Sequence, residues 1–373
     1  MNASMWSILG IAVVTSAACA LVGTFLMLRR LSMLSDAISH AILPGIVIAF
    51  FLTGDLTSPW LVVGAAATGV LTVALVEVIT TTRLLKEDAA MGLVFPALFS
   101  LGIILITRYA GNVHLDVDAV LLGELAFAPF DRFMVAGHDL GPRALWLMSG
   151  ILLISTTLIT LFYKELKIAT FDPGLAASLG LAPVVLHYGL MSLVSVTAVG
   201  AFDAVGLILV VALMIGPPAA AYLLTDRLAV LLGLAVGLGA LAATLGFGLA
   251  FWIDASIAGC MAVAVGVVFF AVFLVAPDRG LVAVMRRRRR QRYQFAEVML
   301  AIHLVHHEGS PEEIEESRVE HLHGKHVGWT PEFTRDVVAG ALRRGLVEKA
   351  GDRLLLTELG RATAGHALSG AGA

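Results

Sequence analysis

Long apolar stretches separated by short polar connections make up the first three quarters of the chain. A helix needs about 20 residues to cross a bilayer. Stretches of this length fall at about 6–28, 60–80, 89–107, 142–163, 204–224, 228–250 and 255–275. Two shorter stretches, at about 37–54 and 183–202, contain Pro44-Gly45 and His187. If both of these also span, the pattern predicts an all-α polytopic membrane bundle of about nine transmembrane helices.

The positions of the basic residues test this count. With nine spans, most of the basic residues between apolar stretches fall on one side, and cytoplasmic loops are the ones that carry excess Lys and Arg. They are Arg29, Arg30, Arg83, Lys86, Lys164, Lys167, Arg227, Arg279 and the run Arg286 to Arg290. We therefore expect the N-terminus outside and the C-terminus inside.

The last quarter of the chain is polar and is expected to be a separate α+β domain. The predicted division is a transmembrane domain at 1–280, a basic linker at 281–293 that contacts anionic lipid, and a cytoplasmic domain at 294–373. In that domain the pattern predicts helices at 295–308, at Pro311 to about 323 and at Pro331 to Leu346. A hairpin around Ala350-Gly351-Asp352 and a helix capped at Thr357 follow.

Composition supports a membrane protein. Apolar residues make up 58% and charged residues 14% of the chain, and the mean hydropathy is +0.90. In a typical soluble domain, roughly a quarter of the residues are charged. Cys19 and Cys260 lie inside apolar runs, so no disulfide framework is indicated. The first apolar run is too long for a signal peptide, and we expect it to be retained.

Ionisable residues inside a bundle need a partner or a function. Asp36 and His40 lie one helical turn apart in the second span, with Ser39 beside them. One carboxylate and one imidazole suit manganese, iron or zinc better than calcium or magnesium. Pro44-Gly45 predicts a break in this helix, of the kind that lines a transporter cavity. The alternative is that Ser35 or Asp36 caps the helix while Asp36 and His40 pair only with each other.

Other polar groups are less informative. Asp203 and Asp254 fall in predicted external turns, where solvated helix caps are the simpler interpretation and a place for Asp203 at the mouth of the pathway is the alternative. His187 is expected to be a satisfied interior histidine. The external loop at 108–141 is mostly acidic, and either a solvated connection or a collector of cations fits its composition.

Histidines are concentrated in the C-terminal domain. His303, His306 and His307 share one face of the first helix, and His321, His323 and His326 follow. A regulatory site for the transported metal and plain surface histidines are both open interpretations.

Several blocks of sequence resemble the permease family of bacterial ABC importers for manganese, zinc and iron, the Znu, Mnt and Tro group. The most specific block is SDAISHAILPG at 35–45, after a first helix that ends in basic residues. Further agreement comes from RLLKEDAAMGLVF at 83–95, DPGLAASLGL at 172–181 and VGLILVVALMIGPPAAAYLL at 205–224. The paired Pro217-Pro218 departs from the single proline more usual in the family.

The resemblance implies how this importer divides its work. It implies a permease subunit in the bacterial inner membrane that imports a divalent transition metal by alternating access, with manganese expected first and zinc or iron as the alternatives. Such a subunit performs no covalent chemistry and holds no permanent cofactor. Its partners would be an ATP-binding cassette ATPase dimer, an extracytoplasmic metal-binding protein and a second permease, either a copy or a paralogue. The sequence is consistent with a separate ATPase, since Gly324-Lys325 is followed by His326 and forms no phosphate-binding loop.

The resemblance also assigns residues. Asp36 and His40 would bind the metal, and Ser39, Pro44, Gly45 and Asp203 would line its pathway. The residues of the helix that couples to the ATPase would be Phe171, Asp172, Pro173, Gly174, Leu175, Leu179 and Gly180. From the sequence, Asp172 caps this short helix, Pro173 starts it and Gly180 closes it.

The C-terminal domain is similar to the winged-helix module of metal-responsive repressors. DNA binding is disfavoured, because residues 291–373 carry nine Lys and Arg against twelve Asp and Glu. Two rival functions remain for the chain. An ion-coupled secondary transporter would need inverted repeats and more interior carboxylates. A membrane-tethered metal sensor would use the C-terminal domain as its output.

Overall fold

The computed structural model describes residues 3–54, 58, 60–109, 125–135, 138–323 and 328–370. The chain divides into two compact units, Met1–Arg279 and Gly280–Ala373.

The first unit is almost entirely helical. Its elements in chain order are α1 (Ala3–Leu28), α2 (Ser32–Ala41), α3 (Leu43–Thr53), α4 (Trp60–Thr81), α5 (Glu87–Tyr109), β1 (Arg132–Val135), β2 (His138–Pro142), α6 (Arg143–Leu161), α7 (Tyr163–Phe171), α8 (Pro173–Ser178), α9 (Pro183–Val205), α10 (Leu207–Leu224), α11 (Leu228–Ile253) and α12 (Ile257–Val275).

Nine helices in the described part of the chain are long and apolar enough to cross a membrane, with α2 and α3 forming one of them. This confirms the predicted count, including the two short stretches. The first span is the most deeply buried, and its side chains form the centre of the apolar core of this unit. A continuous apolar surface suits a helix that meets other helices on every side.

The second span is interrupted at a single residue. Helix α2 ends at Ala41 and α3 begins at Leu43, with Ile42 between them. Pro44 has no N–H to donate to the carbonyl of His40, four residues earlier. The backbone hydrogen bonds from Ile42 to Ile38 and from Ile46 to Ile42 are kept, so the interruption is narrower than an unwound segment.

Helices α3 and α4 pack backbone against backbone. A Cβ atom on Gly45 would lie 2.1 Å from the carbonyl oxygen of Gly64, and one on Gly64 would lie 2.5 Å from that of Gly45. Glycines allow this approach because no side chain separates the two backbones.

An antiparallel pair of strands follows the fourth span. β1 and β2 pair through Met134 with Asp139 and through Val135 with His138. The sequence predicts only a mostly acidic loop at 108–141, so these two strands were not predicted. Arg132 makes an ion pair with Asp139 across it. His114, Asp116, Asp118 and Glu124 of the predicted acidic loop lie outside the described residues.

The second unit contains α13 (Leu281–His307), α14 (Glu313–Glu316), a 3-10 turn (His321–His323), α15 (Pro331–Arg343), β3 (Val347–Ala350), β4 (Arg353–Leu356) and α16 (Glu358–Gly370). Its core joins α13, α15 and the β3–β4 hairpin. Thr357 accepts a hydrogen bond from the amide of Gly360, as expected of the predicted cap.

Two expectations for this unit differ from the structure. Residues 281–293 are not a separate linker, because they form the first half of α13. The helix expected from Pro311 to about 323 is only one turn long. After Glu316 the chain turns to pair with the hairpin, where Arg318 bridges to Arg353 and the amide of Leu354 donates to the carbonyl of Ser317.

Candidate metal pathway

Asp36 and His40 project from the same face of α2. The His40 Nε2 lies 3.6 Å from the Asp36 Oδ1, too far for a hydrogen bond, and both side chains are partly exposed. Two ligand atoms on one ion, each bonded at about 2.0–2.2 Å, lie roughly 3.0–3.6 Å apart. The separation therefore suits shared coordination of a cation as well as it suits a loose ion pair.

The capping alternative is not what the structure has. Helix α2 begins at Ser32 after Leu31, and no side-chain hydrogen bond caps it. The Ser35 hydroxyl donates instead to the carbonyl of Ser32.

Aromatic rings of α5 enclose the imidazole of His40. Its ring centroid lies 5.7 Å from that of Phe95 and 6.0 Å from that of Phe99, which meets it edge-on. The imidazole therefore packs against the aromatic side of α5.

The other predicted pathway residues have different surroundings. Ser39 is buried, and its hydroxyl donates a hydrogen bond to the carbonyl of Ser35 in the preceding turn. Pro44 interrupts the helix, and Gly45 lies in the close α3–α4 contact. Asp203 belongs to the last turn of α9 and not to a turn between helices, and its side chain lies outside the described residues. Asp254 ends α11 in a left-handed conformation, as a helix-terminal residue does.

The short helix predicted to couple to an ATPase is confirmed as a helix. Asp172 precedes α8, and its Oδ1 accepts a hydrogen bond from the amide of Leu175 at 2.9 Å. Pro173 occupies the first turn, and Gly180 has a φ of +76°, which favours glycine. The apolar side chains of Phe171, Leu175 and Leu179 are exposed around it. Gly174 is exposed in the first turn.

A polar cluster whose members the sequence does not bring together lies beside this helix. Arg29 follows α1, and its Nη1 lies 3.2 Å from the Nδ1 of His187 on α9. Its Nε donates to the hydroxyl of Thr170 on α7 at 3.2 Å. The phenol of Tyr188 donates to Glu77 of α4 at 2.6 Å. The loop after α1 and the ends of α4, α7 and α9 therefore share one side of the bundle, as nine spans require.

The C-terminal histidines do not form one group. His303 and His307 lie together with Glu316, a residue that the sequence analysis did not select as a candidate ligand. His321 contacts the same carboxylate. Burial lowers the pKa of His303, and the neighbouring His307 lowers it further. His306 is exposed and lines a groove with Trp329 and Phe333. The side chain of His323 and the whole of His326 lie outside the described residues.

Comparison with known proteins identifies the membrane unit. The ABC-3 family, described as the ABC 3 transport family, matches over residues 1–276. The chain belongs to this family. The matched region includes every candidate membrane span found among the described residues. It also includes Asp36, His40 and α8.

Its relatives are membrane subunits of transport systems. The "Zinc transport system membrane protein TroD" of Treponema pallidum (strain Nichols) is 50% identical over 350 residues, covering 94% of this chain and 95% of its own. That match therefore extends well into the C-terminal unit. The "Manganese transport system membrane protein MntD" of Bacillus subtilis (strain 168) is 45% identical over 282 residues, covering 76% of this chain and 95% of its own.

A solved structure has the same fold. "PsaBC from Streptococcus pneumoniae in complex with Fab" superposes with a TM-score of 0.62 at 29% identity, and the match covers 75% of this chain and 94% of that one. The resemblance of the membrane unit to the permease family, inferred from the sequence, is therefore confirmed at the level of family and fold.

Proposed function

We propose that this ABC 3 protein is the permease subunit of an ATP-driven importer of a divalent transition metal, and that Asp36 and His40 bind the metal on its way through the bundle. The observation that carries the proposal is the Asp36–His40 pair, in an interrupted helix of a chain whose family is known. A carboxylate and an imidazole 3.6 Å apart form half of a transition-metal site.

The transported metal is manganese, zinc or iron. The relatives' names divide between zinc and manganese, and the more distant "Chelated iron transport system membrane protein YfeC" of Yersinia pestis, 31% identical over 283 residues, names iron. A mixed oxygen and nitrogen donor pair binds all three of these ions. Ser39, Pro44, Gly45 and Asp203 belong to the proposed pathway as neighbours that shape it, and not as metal ligands.

The proposed partners follow from the surfaces of the membrane unit. An ATPase dimer would dock on α8, where the exposed Phe171, Leu175 and Leu179 offer an apolar surface. An extracytoplasmic metal-binding protein would deliver the metal on the opposite side. A second permease subunit, a copy or a paralogue, would complete the pathway, since the pair supplies only two ligands. ATP hydrolysis would belong to the partner.

The orientation and the C-terminal unit are part of the proposal. Basic residues between spans support an N-terminus outside and a C-terminus inside the cell, with Arg286 to Arg290 against anionic lipid. The order of α15, the β3–β4 hairpin and α16 supports a winged-helix-like module. This likeness favours a regulatory role, through metal or through contact with the ATPase, and the acidic balance of the unit argues against binding to nucleic acid.

Metal accumulation tests the proposal. Cells that express the intact transport system should accumulate far less metal with Asp36→Ala or His40→Ala than with the natural chain. Asp88→Asn and His366→Ala are the controls, because each removes the same kind of ionisable group at an exposed position. Normal uptake in both site variants, at normal membrane levels of the protein, would overturn the assignment.

A further inference from the structure

Three side chains in the C-terminal unit converge from two helices. His303 and His307 come from the last turns of α13, and Glu316 comes from the end of α14. One ligand atom from each lies within 4.8 Å of the others. In the part of the chain that the structure describes, they are the one group of three or more His, Cys, Asp or Glu residues with such spacing.

Two members of the group, one from each helix, approach each other without forming a hydrogen bond. The His303 Nε2 lies 3.3 Å from the Glu316 Oε2, and the two side chains are only 16% and 10% exposed. Neither of these atoms has a hydrogen-bond partner among the described residues. Buried polar atoms are nearly always satisfied in native proteins. A cation bonded to both atoms would satisfy them together.

The spacing suits a small transition-metal ion. A four-coordinate ion with bonds of about 2.0–2.1 Å holds its ligand atoms roughly 3.4 Å apart. The His303–Glu316 distance already has this value. The rings of His303 and His307 have centroids 4.8 Å apart, and one ligand atom of His307 lies within 4.8 Å of those of His303 and Glu316.

A further histidine lies close to the other oxygen of the carboxylate. The His321 Nε2 lies 3.0 Å from the Glu316 Oε1, the oxygen that does not face His303. Metal-binding carboxylates and histidines are commonly held in this way by an outer partner. His321 lies in the 3-10 turn that follows α14.

We propose that His303, His307 and Glu316 bind one divalent transition-metal ion such as Zn²⁺ or Co²⁺, with His321 as a positioning residue for the carboxylate. Two nitrogens and one carboxylate oxygen favour such an ion over Ca²⁺ or Mg²⁺. Bound metal would tie the C-terminal end of α13 to α14 and to the turn that carries His321. On the proposed function, the ion is of the same class as the transported one, so the site would regulate uptake by metal level.

A Co²⁺ titration of the purified full-length chain in detergent tests the site. The parent for the titration carries Asp36→Ala and His40→Ala, which removes the membrane pair. We expect this parent to bind one Co²⁺ with the visible absorption of a four-coordinate ion, and Zn²⁺ to displace it. Adding Glu316→Gln or His307→Ala should weaken binding by more than about tenfold, since even outer partners of metal ligands contribute 10- to 100-fold.

Matched variants distinguish Co²⁺ binding at this site from nonspecific binding by surface histidines. His306→Ala, on the same helix, and His366→Ala, on α16, should bind Co²⁺ as the parent does, because both histidines are exposed outside the group. Circular dichroism without metal shows that each variant is folded. Parental affinity in folded Glu316→Gln and His307→Ala, or a loss confined to His306→Ala, would overturn the proposal and leave an ordinary ion pair.

Uptake distinguishes this inference from the proposed function. If the C-terminal site binds Co²⁺ and Asp36→Ala cells still accumulate metal, the pathway assignment fails and the site stands. If Asp36→Ala abolishes uptake and Glu316→Gln leaves Co²⁺ binding unchanged, the site fails and the pathway stands. If metal at the C-terminal site regulates uptake, cells with the Glu316→Gln variant should continue to accumulate metal at external concentrations that halt uptake by the natural chain. Identical saturation in the two strains would contradict regulation.

Discussion

The guanidinium of Arg29 lies 3.2 Å from the ring nitrogen Nδ1 of His187, joining the end of the first span to the start of the sixth. Its Nε also donates to Thr170, in the helix that leads to α8. Arg29 therefore connects the end of α1, the most buried span of the bundle, with both α7 and α9.

Arg29→Ala should destabilise the membrane unit. The change leaves His187 and Thr170 without this partner in a half-buried site, and a lost partner of this kind costs about 1–3 kcal/mol. We expect a lower melting temperature for the purified subunit in detergent. Arg30→Ala, a neighbouring and exposed position, should have little effect.

A double-mutant cycle examines the contact itself. If Arg29 and His187 interact, the loss in Arg29→Ala/His187→Ala should be smaller than the sum of the two single losses. Strictly additive losses would mean that the contact contributes nothing.

Gly45→Ala should disrupt the packing of α3 on α4. The new methyl group would lie 2.1 Å from the carbonyl oxygen of Gly64, so the two backbones must separate. Overpacking of this kind typically costs about 1–3 kcal/mol. Gly92→Ala is the control, because a Cβ atom there meets nothing within 4 Å and alanine favours a helix. Equal melting temperatures for Gly45→Ala and the natural chain would contradict this account of the contact.

The hydrophobic pattern was sufficient to predict the membrane unit. In lipid, spans must be long, apolar and helical, so their length and number can be read from the sequence. The proximity of Asp36 and His40 also follows from the sequence, because residues four apart on a helix share a face. By contrast, the partners of Arg29 are 141 and 158 residues away, and only the folded bundle brings them together.

The C-terminal site illustrates a different limit. His303 and His307 are four residues apart, and their proximity was predictable. Glu316 lies in the acidic stretch 312–316, where nothing in the pattern distinguishes it from Glu313 or Glu315. Its position depends on where α14 ends, and that end is set by backbone pairing of Ser317 and Arg318 with the distant hairpin. Local propensity favoured a longer helix, and the tertiary hydrogen bonds prevailed.

Asp172→Ala should loosen the start of α8 while Asp172→Asn should preserve it. The carboxylate accepts a hydrogen bond from the amide of Leu175, and an N-cap of this kind contributes about 1 kcal/mol. Asparagine caps helices about as well as aspartate. In the assembled transporter we expect lower metal uptake per ATP hydrolysed for the alanine variant only. If both variants lose activity equally, the negative charge matters and the cap does not.

Glu308 and Arg361 should give α16 a stability that depends on pH. Arg361 hydrogen-bonds both carboxylate oxygens of Glu308, joining α16 to the residue that follows α13, and this lowers the pKa of the Glu308 carboxyl. A carboxyl whose pKa is lower in the folded state adds stability above its unfolded pKa, about 4.3 for glutamate. That stability disappears as the pH falls through the lower, folded pKa.

At pH 7, Glu308→Gln should therefore speed amide hydrogen exchange in α16, but only slightly, because both groups are exposed and such pairs are weak. The difference from the natural chain should vanish once the pH is below the folded pKa. Glu348→Gln, which removes a carboxylate exposed on β3, should leave α16 exchange unchanged at either pH. A Glu308→Gln effect that persists undiminished in acid would show that the pair does not act through charge.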